Sequence, residues 1–222
     1  QHETVALAFS ITEEAEEDGQ YGSIASRYTK ALARSMSSTK EIKAANVLNN
    51  ATSANGGDGT TLLSTAHPTQ NGNQSNTLAT AADLSETSLE SILIQIADMK
   101  DERGLRVAAQ GTQLIIPTAY TFVAERLLES QLRTGTADND INAIKSGGYL
   151  PKGYHVMRRL TDADQFFVQT DVPDGLKYFT RSAMKKGMEG DFETGNIRYK
   201  CRERYSFGFT DWRGIFGSEG AA

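Results

Sequence analysis

Apolar residues recur along this chain in two rhythms, one of every second position and one of every third or fourth. Val5, Leu7, Phe9 and Ile11 alternate with Ala6, Ala8 and Ser10, which predicts a strand over Thr4 to Ile11 with small residues on its second face. Thr12, Glu13 and Glu14 offer an N-cap and first-turn acids for a short helix ending near Asp18 and Gly19. From Tyr21 to Ala51 the period lengthens. Ile24, Tyr28, Leu32, Met36, Thr39, Ile42, Ala45 and Asn49 share one helical face, and no proline interrupts them. At 1.5 Å per residue this helix would be roughly 45 Å long, comparable with the width of a compact domain. It is a spine for the rest.

Periodicity then lapses. Ser53 to Ala82 is rich in Gly, Asn, Thr and Ser, with Leu62, Leu63 and Leu78 as its large apolar residues. Roughly thirty residues without a period is far longer than an ordinary connection, and reads either as a segment held by a neighbouring copy or as a mobile surface loop. Asp83 and Glu86 predict an Asp-initiated capping box for a helix with the stripe Leu89, Ile92, Leu93, Ile96 and Met99, ending at Gly104. Leu105 to Ala109 and Gln113 to Ile116 read as a hairpin or two short strands. Pro117 opens a helix that buries Phe122, Val123, Leu127 and Leu128. A polar stretch from Thr134 to Asn142 leads to the turn residues Gly147, Gly148 and Pro151, and strands are predicted at Tyr154 to Arg158, Gln165 to Thr170 and Gly175 to Arg181. In Ile197 to Phe209, one parity holds Ile197, Tyr199, Cys201, Tyr205, Phe207 and Phe209, and the other holds Arg198, Lys200, Arg202 and Arg204. Glu203 breaks the apolar parity and needs an edge or a positive partner. This late strand is expected to return to the sheet begun by the first one, giving an α+β protein.

Composition narrows the function. The chain has 222 residues, 38% of them hydrophobic, and a net charge of -5. That balance argues against general adhesion to nucleic acid, which depends on lysine and arginine against phosphates. No run approaches the length of a membrane span, and no signal peptide is visible. A single cysteine, Cys201, excludes an intramolecular disulfide, suits a reducing compartment, and reads as a small core residue more readily than as a reactive thiol.

Candidate chemistry is sparse. His2, His67 and His155 lack the spacing that puts two imidazoles on one helix face for zinc. Ser64 and His67 suggest a nucleophile and base, the seed of a small-hydrolase reading, but lie in a Gly/Asn-rich loop without a strand-to-helix elbow. The glycines after Asn55 are not followed by the Lys-Ser/Thr of a phosphate loop. Asp138 and Asp140 lack the order of a calcium loop and read as a solvated acidic turn. No cofactor or metal is implied. The basic row Arg198, Lys200, Arg202 and Arg204 leaves three readings open: a nucleic-acid face without aromatics to stack bases, a solvated strand face, or a surface that pairs with acids of a neighbouring chain, for which Glu13, Glu14, Glu16, Glu17 and Asp18 are available.

Several stretches taken together resemble the major capsid proteins of tailed bacteriophages, most closely the Mu-like major head subunit group. They are Ser10-Ile-Thr-Glu-Glu14, Thr39-Lys-Glu-Ile-Lys-Ala-Ala-Asn-Val-Leu-Asn-Asn50, Gly57-Asp-Gly-Thr60, Leu63-Ser-Thr-Ala-His-Pro68, Ala82-Asp-Leu-Ser-Glu86, Asp101-Glu-Arg-Gly-Leu105, Ile116-Pro117, Gly135-Thr-Ala-Asp-Asn-Asp-Ile-Asn142, Asp174-Gly-Leu-Lys-Tyr-Phe179, and the run from Gly190 to Gly208. The order and spacing of these stretches, more than any one of them, carry the resemblance over nearly the whole chain. It implies the Hong Kong-type capsid fold: a peripheral domain of residues 1–75 and 176–222, holding the spine helix 21–51 and an elongated antiparallel sheet, and an inserted α/β axial domain of 76–175. It further implies a structural protein, not an enzyme, that forms pentamers and hexamers of an icosahedral shell around double-stranded DNA without sequence-specific binding. Portal, scaffolding and decoration proteins would be its partners, the virion its location, and the bacterial host cytoplasm its place of assembly. An encapsulin-like shell holding protein cargo is the alternative. The residues expected between subunits are Glu13, Glu14, Glu17, Arg198, Lys200, Arg202, Glu203 and Arg204, with Asp138 and Asp140 near the capsomer axis.

Overall fold

The computed structural model describes residues 2–19, 21–133 and 140–221. Two compact units divide the chain, Gln1–Ala44 with Tyr178–Gly208, and Ala45–Lys177 with Phe209–Ala222. The first break thus falls well before the expected residue 75, because the end of the long helix and the loop after it pack into the second unit's core.

In the first unit, strand β1 (Glu3–Ile11) is followed by the short helix α1 (Glu13–Glu17) and the long helix α2 (Tyr21–Asn49), whose last turn from Ala45 belongs to the second unit. Thr12 has the extended backbone of an N-cap, but its side chain makes no capping bond. The remaining strands of this sheet come from the far end of the chain, β7 (Leu176–Gly190) and β8 (Ile197–Phe209), in the order β1-β8-β7. β1 and β8 run antiparallel in unbroken register from Glu3↔Tyr205 to Ile11↔Ile197, so the early and late segments do join. β7 is longer than the predicted Gly175 to Arg181. Its second half, with Lys185, Lys186, Gly187 and Glu189, carries no apolar alternation, and it is the ladder to β8 that holds it extended.

The sheet covers only a strip of α2. Met36 is buried and Leu32 partly so, whereas Tyr28 and Ile42, both placed on the stripe by periodicity, are exposed. Among the described residues, Ile11, Met36, Cys201 and Tyr205 are the buried apolar residues of this unit. Its exposed large apolar residues outnumber them: Leu7, Tyr28, Ile42, Tyr178, Phe179, Met184, Met188 and Phe192.

The second unit has the larger core. A four-stranded mixed sheet runs in the order β5 (Tyr154–Val156), β4 (Gly111–Ile116), β6 (Phe166–Thr170), β9 (Ile215–Ser218). Both faces are buried, which explains the continuous apolar runs Leu114-Ile-Ile116 and Phe166-Phe-Val168. On one face Leu114, Ile116, Phe166 and Val168 meet Leu89, Ile92 and Ile96 of helix α3 (Glu86–Ala97), Ala124 and Leu128 of α4 (Thr121–Glu129), and Ile144 of α5 (Ala143–Gly147). On the other, Ile115, Phe167 and Ile215 meet Leu48, Ala51, Leu62 and Leu63.

Local chemistry corrects several expectations. The capping box of α3 is built by Ser85 and Ser88, not by Asp83 and Glu86, and the helix stops at Ala97 with Met99 folded in after it. Leu105 to Ala109 is not a strand; only Lys100↔Arg106 bridges there. Phe122 is 76% exposed. Ala124 and Leu128 fix the buried face of α4, and a residue two positions before Ala124 lies about 200° around the helix from it. The polar loop contains a small hairpin of β2 (His67–Thr69) and β3 (Gly72–Gln74), which sequence periodicity did not reveal.

Candidate interaction surface

The alternation of β8 is realised as two chemically opposite faces. Its odd residues face α2. Cys201, Glu203 and Tyr205 are buried, and Lys40 of α2 reaches Glu203 Oε1 at 2.6 Å. Glu203 was expected between subunits, but here it is only 4% exposed and paired inside its own unit. A buried carboxylate requires a positive partner, and Lys40 supplies it. The hydrogen bond to Glu203 raises the Lys40 pKa, against the opposing effect of burial. Burial, and then the Glu203 charge, push the Tyr205 phenol up. Tyr178, Tyr205 and Phe207 form an aromatic cluster beside this pair, with Lys40 Nζ 5.4 Å from the Tyr205 ring centre.

The even residues make the open face. Lys200 and Arg202 are exposed and have no ion-pair partner among the described residues, while Arg204 is half-buried with its Nε buried and unpaired. Arg198 is exposed but bonded to Asp191 in the β7–β8 turn. Beside them the facing residues of β1 are Ser10, Ala8, Ala6 and Thr4, all too small to cover the cations. Because Tyr178 shares the α2 side with Tyr205 and Phe207, alternation along β7 puts Arg181 and Lys185 on the same open face as the basic row. The sequence had shown no strand at Lys185, so the width of this cationic face was not visible in it.

The acids stand at the sheet's end. Glu13, Glu14, Glu16 and Glu17 are exposed on α1, which buries no residue. Glu13 lies against Gly195 in the β7–β8 turn, where φ is +67° and a side chain would strike the Glu13 carboxylate. Phe192, in the same turn, is fully exposed. Of the expected axial pair, Asp140 is exposed beside the Leu132↔Ile141 bridge, and Asp138 lies outside the described residues.

In the second unit the polar loop is organised by a buried cluster that sequence reasoning missed. Asn76 Nδ2 donates to the carbonyls of Leu62 (2.6 Å) and Ile215 (2.9 Å), and its Oδ1 accepts from Ser64 N–H (2.9 Å). His67 is fully buried, stacked on Trp212 at 4.3 Å, with Nδ1 2.7 Å from Asp58 Oδ2 and Nε2 3.2 Å from Asn76 Oδ1. Burial pulls the Asp58 carboxyl up, but hydrogen bonds from Thr60 and His67 outweigh it and hold the group below its ordinary range. Ser64 Oγ accepts from Ala66 N–H, so Ser64 and His67 serve the loop's hydrogen bonding and not each other. The signal that could have located this cluster is the spacing of three polar residues, Asp58, His67 and Asn76, at equal intervals around Leu62 and Leu63. Among the described residues there is no grouping able to hold a metal ion, and no helix long and apolar enough to cross a membrane.

Comparison with known proteins adds the family. A family model described as phage capsid protein matches residues 1–217. Solved structures share the fold at low identity. The capsid of Myoviridae phage XM1 aligns with a TM-score of 0.58 at 9% identity, covering 99% of this chain and 74% of that one. A structure described as Mycobacterium phage Che8 gives 0.53 at 15%, covering 97% and 70%. The holo-SrpI encapsulin complex from Synechococcus elongatus PCC 7942 gives 0.55 at 8%, covering 99% and 74%. A search of curated protein sequences finds no match.

Proposed function

Since the chain belongs to the phage capsid protein family, we propose that it is a shell subunit that assembles into pentamers and hexamers and closes an icosahedral particle around double-stranded DNA. The observation that carries this reading is the first unit's imbalance: among the described residues, four buried apolar residues against eight large exposed ones, with Lys200 and Arg202 exposed and without an ion-pair partner on the open face of its sheet. A unit so poor in its own core gains its remaining burial from other copies. The open cationic face, Lys200, Arg202 and Arg204 with Arg181 and Lys185, meets the acids Glu13, Glu14 and Glu17 of a neighbouring copy. Many modest contacts, repeated under closed symmetry, add up to a stable particle while each remains correctable during assembly. The net charge of -5 suits a wall that contains DNA without gripping it. Portal, scaffolding and decoration proteins are its further partners, and assembly takes place in the host cytoplasm.

The encapsulin neighbour favours a second reading, a shell with protein cargo. Electron microscopy of purified particles, with nuclease protection and the ultraviolet absorbance ratio of their contents, separates the two. Closed shells holding nuclease-protected DNA are expected. Protein-filled shells would move the assignment to the second reading, and a monodisperse monomer at high concentration would overturn both.

A further inference from the structure

The second unit carries a groove of about 690 Å³ between α3, the segment 108–111 and α5. Its walls are Leu93, Ile94, Ala109, Ile144 and Tyr149, and Glu90 is the only charged residue lining it. Ile94 and Tyr149 are 64% and 56% exposed, so the groove is apolar and open. Glu90 is half-buried beside it and makes no ion pair among the described residues. An apolar groove with one unpaired carboxylate selects a large apolar group flanked by a cation.

The chain itself displays a group of that kind. Phe122 projects from α4, 76% exposed, and Arg126, one turn further along the same face, is exposed and unpaired among the described residues. Phe192 stands between Asp191, which is already bonded to Arg198, and Glu193, whose charge Glu90 repels. Leu105 sits on the loop joining two of the groove's own walls, Ala97 and Ala108. We infer that the groove receives the Phe122 and Arg126 face of α4 from a second copy of this chain, with the phenyl ring against Leu93, Ile94 and Tyr149 and the guanidinium on the Glu90 carboxylate. Knob and groove lie on different elements, so the contact is head-to-tail and each copy offers both halves, as a ring of subunits requires. The aromatic anchor supplies buried area and the ion pair sets register. This inference rests on the shell reading only for its ring geometry.

Two measurements test it. In the first, p-benzoylphenylalanine replaces Phe122 in an equal mixture of isotopically light and heavy protein, followed by irradiation and mass spectrometry. Mixed-isotope cross-links to groove peptides containing Leu93, Ile94 or Tyr149 are expected; cross-links within one copy only, to any other surface, or to another protein overturn the inference. In the second, Glu90→Arg and Arg126→Glu are made singly and together, with thermal unfolding confirming a folded subunit. Each single reversal is expected to cut particle yield about ten-fold or more, as like charges in an interface do, and the double reversal to restore it to within about two-fold. Single variants that assemble as the parent does, or a double variant no better than either, overturn it. If the parent forms no closed shells, the shell reading falls while the cross-link still reports the contact; if it does and the cross-link lies elsewhere, only the contact falls.

Discussion

Glu203 shows how a residue's need can be read from its position while its partner is not. Its position among the apolar residues of β8 called for an edge or a positive partner, and Lys40 of the same unit is that partner. Lys40→Met leaves the carboxylate buried alone and is expected to destabilise the subunit by about 2 kcal/mol, below the range for enclosed pairs because the lysine side chain is 31% exposed. Lys40→Met with Glu203→Leu should cost less than Lys40→Met alone in urea unfolding. The raised Lys40 pKa means that this pair stabilises fully below the ordinary lysine value of 10.5 and is lost as pH climbs through the higher folded-state value. Asp58 has the opposite sign. Its pKa is lowered, so its contribution is full above 3.8 and disappears as pH falls through the lower value of the folded state. Asp58→Asn should therefore unfold at lower urea than the parent at neutral pH, and the gap should close in strong acid.

At the scale of elements, neighbours decided what periodicity left open. β8 was legible from end to end because every odd residue but Glu203 is apolar and alternates with a polar or small one. β7 was only partly legible, since a strand with exposed lysines and glycine on both faces takes its conformation from the ladder and not from burial. The start of β7 is fixed by a contact no sequence pattern announces: a side chain on Gly175 would come within 2.9 Å of the Gly214 backbone. Gly214→Ala should cost about 2–3 kcal/mol, because backbone cannot move aside as a side chain can. Gly187→Ala, in β7 with open space around it, should cost almost nothing or stabilise slightly. Thermal unfolding of the two variants side by side gives the comparison.

For the whole molecule the deciding quantity is the charge of Lys200 and Arg202, which no ion pair among the described residues neutralises. Arg202→Glu with Arg204→Glu addresses it, but Arg204 is half-buried, so a reversal there also burdens folding. Lys200→Glu with Arg202→Glu is the cleaner pair, both residues being exposed. It is expected to leave the unfolding midpoint within about 0.5 kcal/mol of the parent's, as surface changes do, while lowering particle yield by sedimentation. The parent's assembly rate should fall as salt screens the same contacts. Normal particles from the double variant would show the cationic face to be solvated strand and nothing more.

The sequence by itself determined the elements whose burial repeats with a fixed period: the first strand, the long helix, the stripe of α3, the apolar runs of the mixed sheet and the two-faced β8. Those patterns follow from local geometry, because a side chain's direction is set by its own backbone. Tertiary structure alone decided which atoms meet: Lys40 with Glu203, Asn76 with the carbonyls of Leu62 and Ile215, Gly175 against Gly214, and Phe122 turned outward. Such pairings join residues far apart in the chain, and their energies depend on distances that no local pattern encodes.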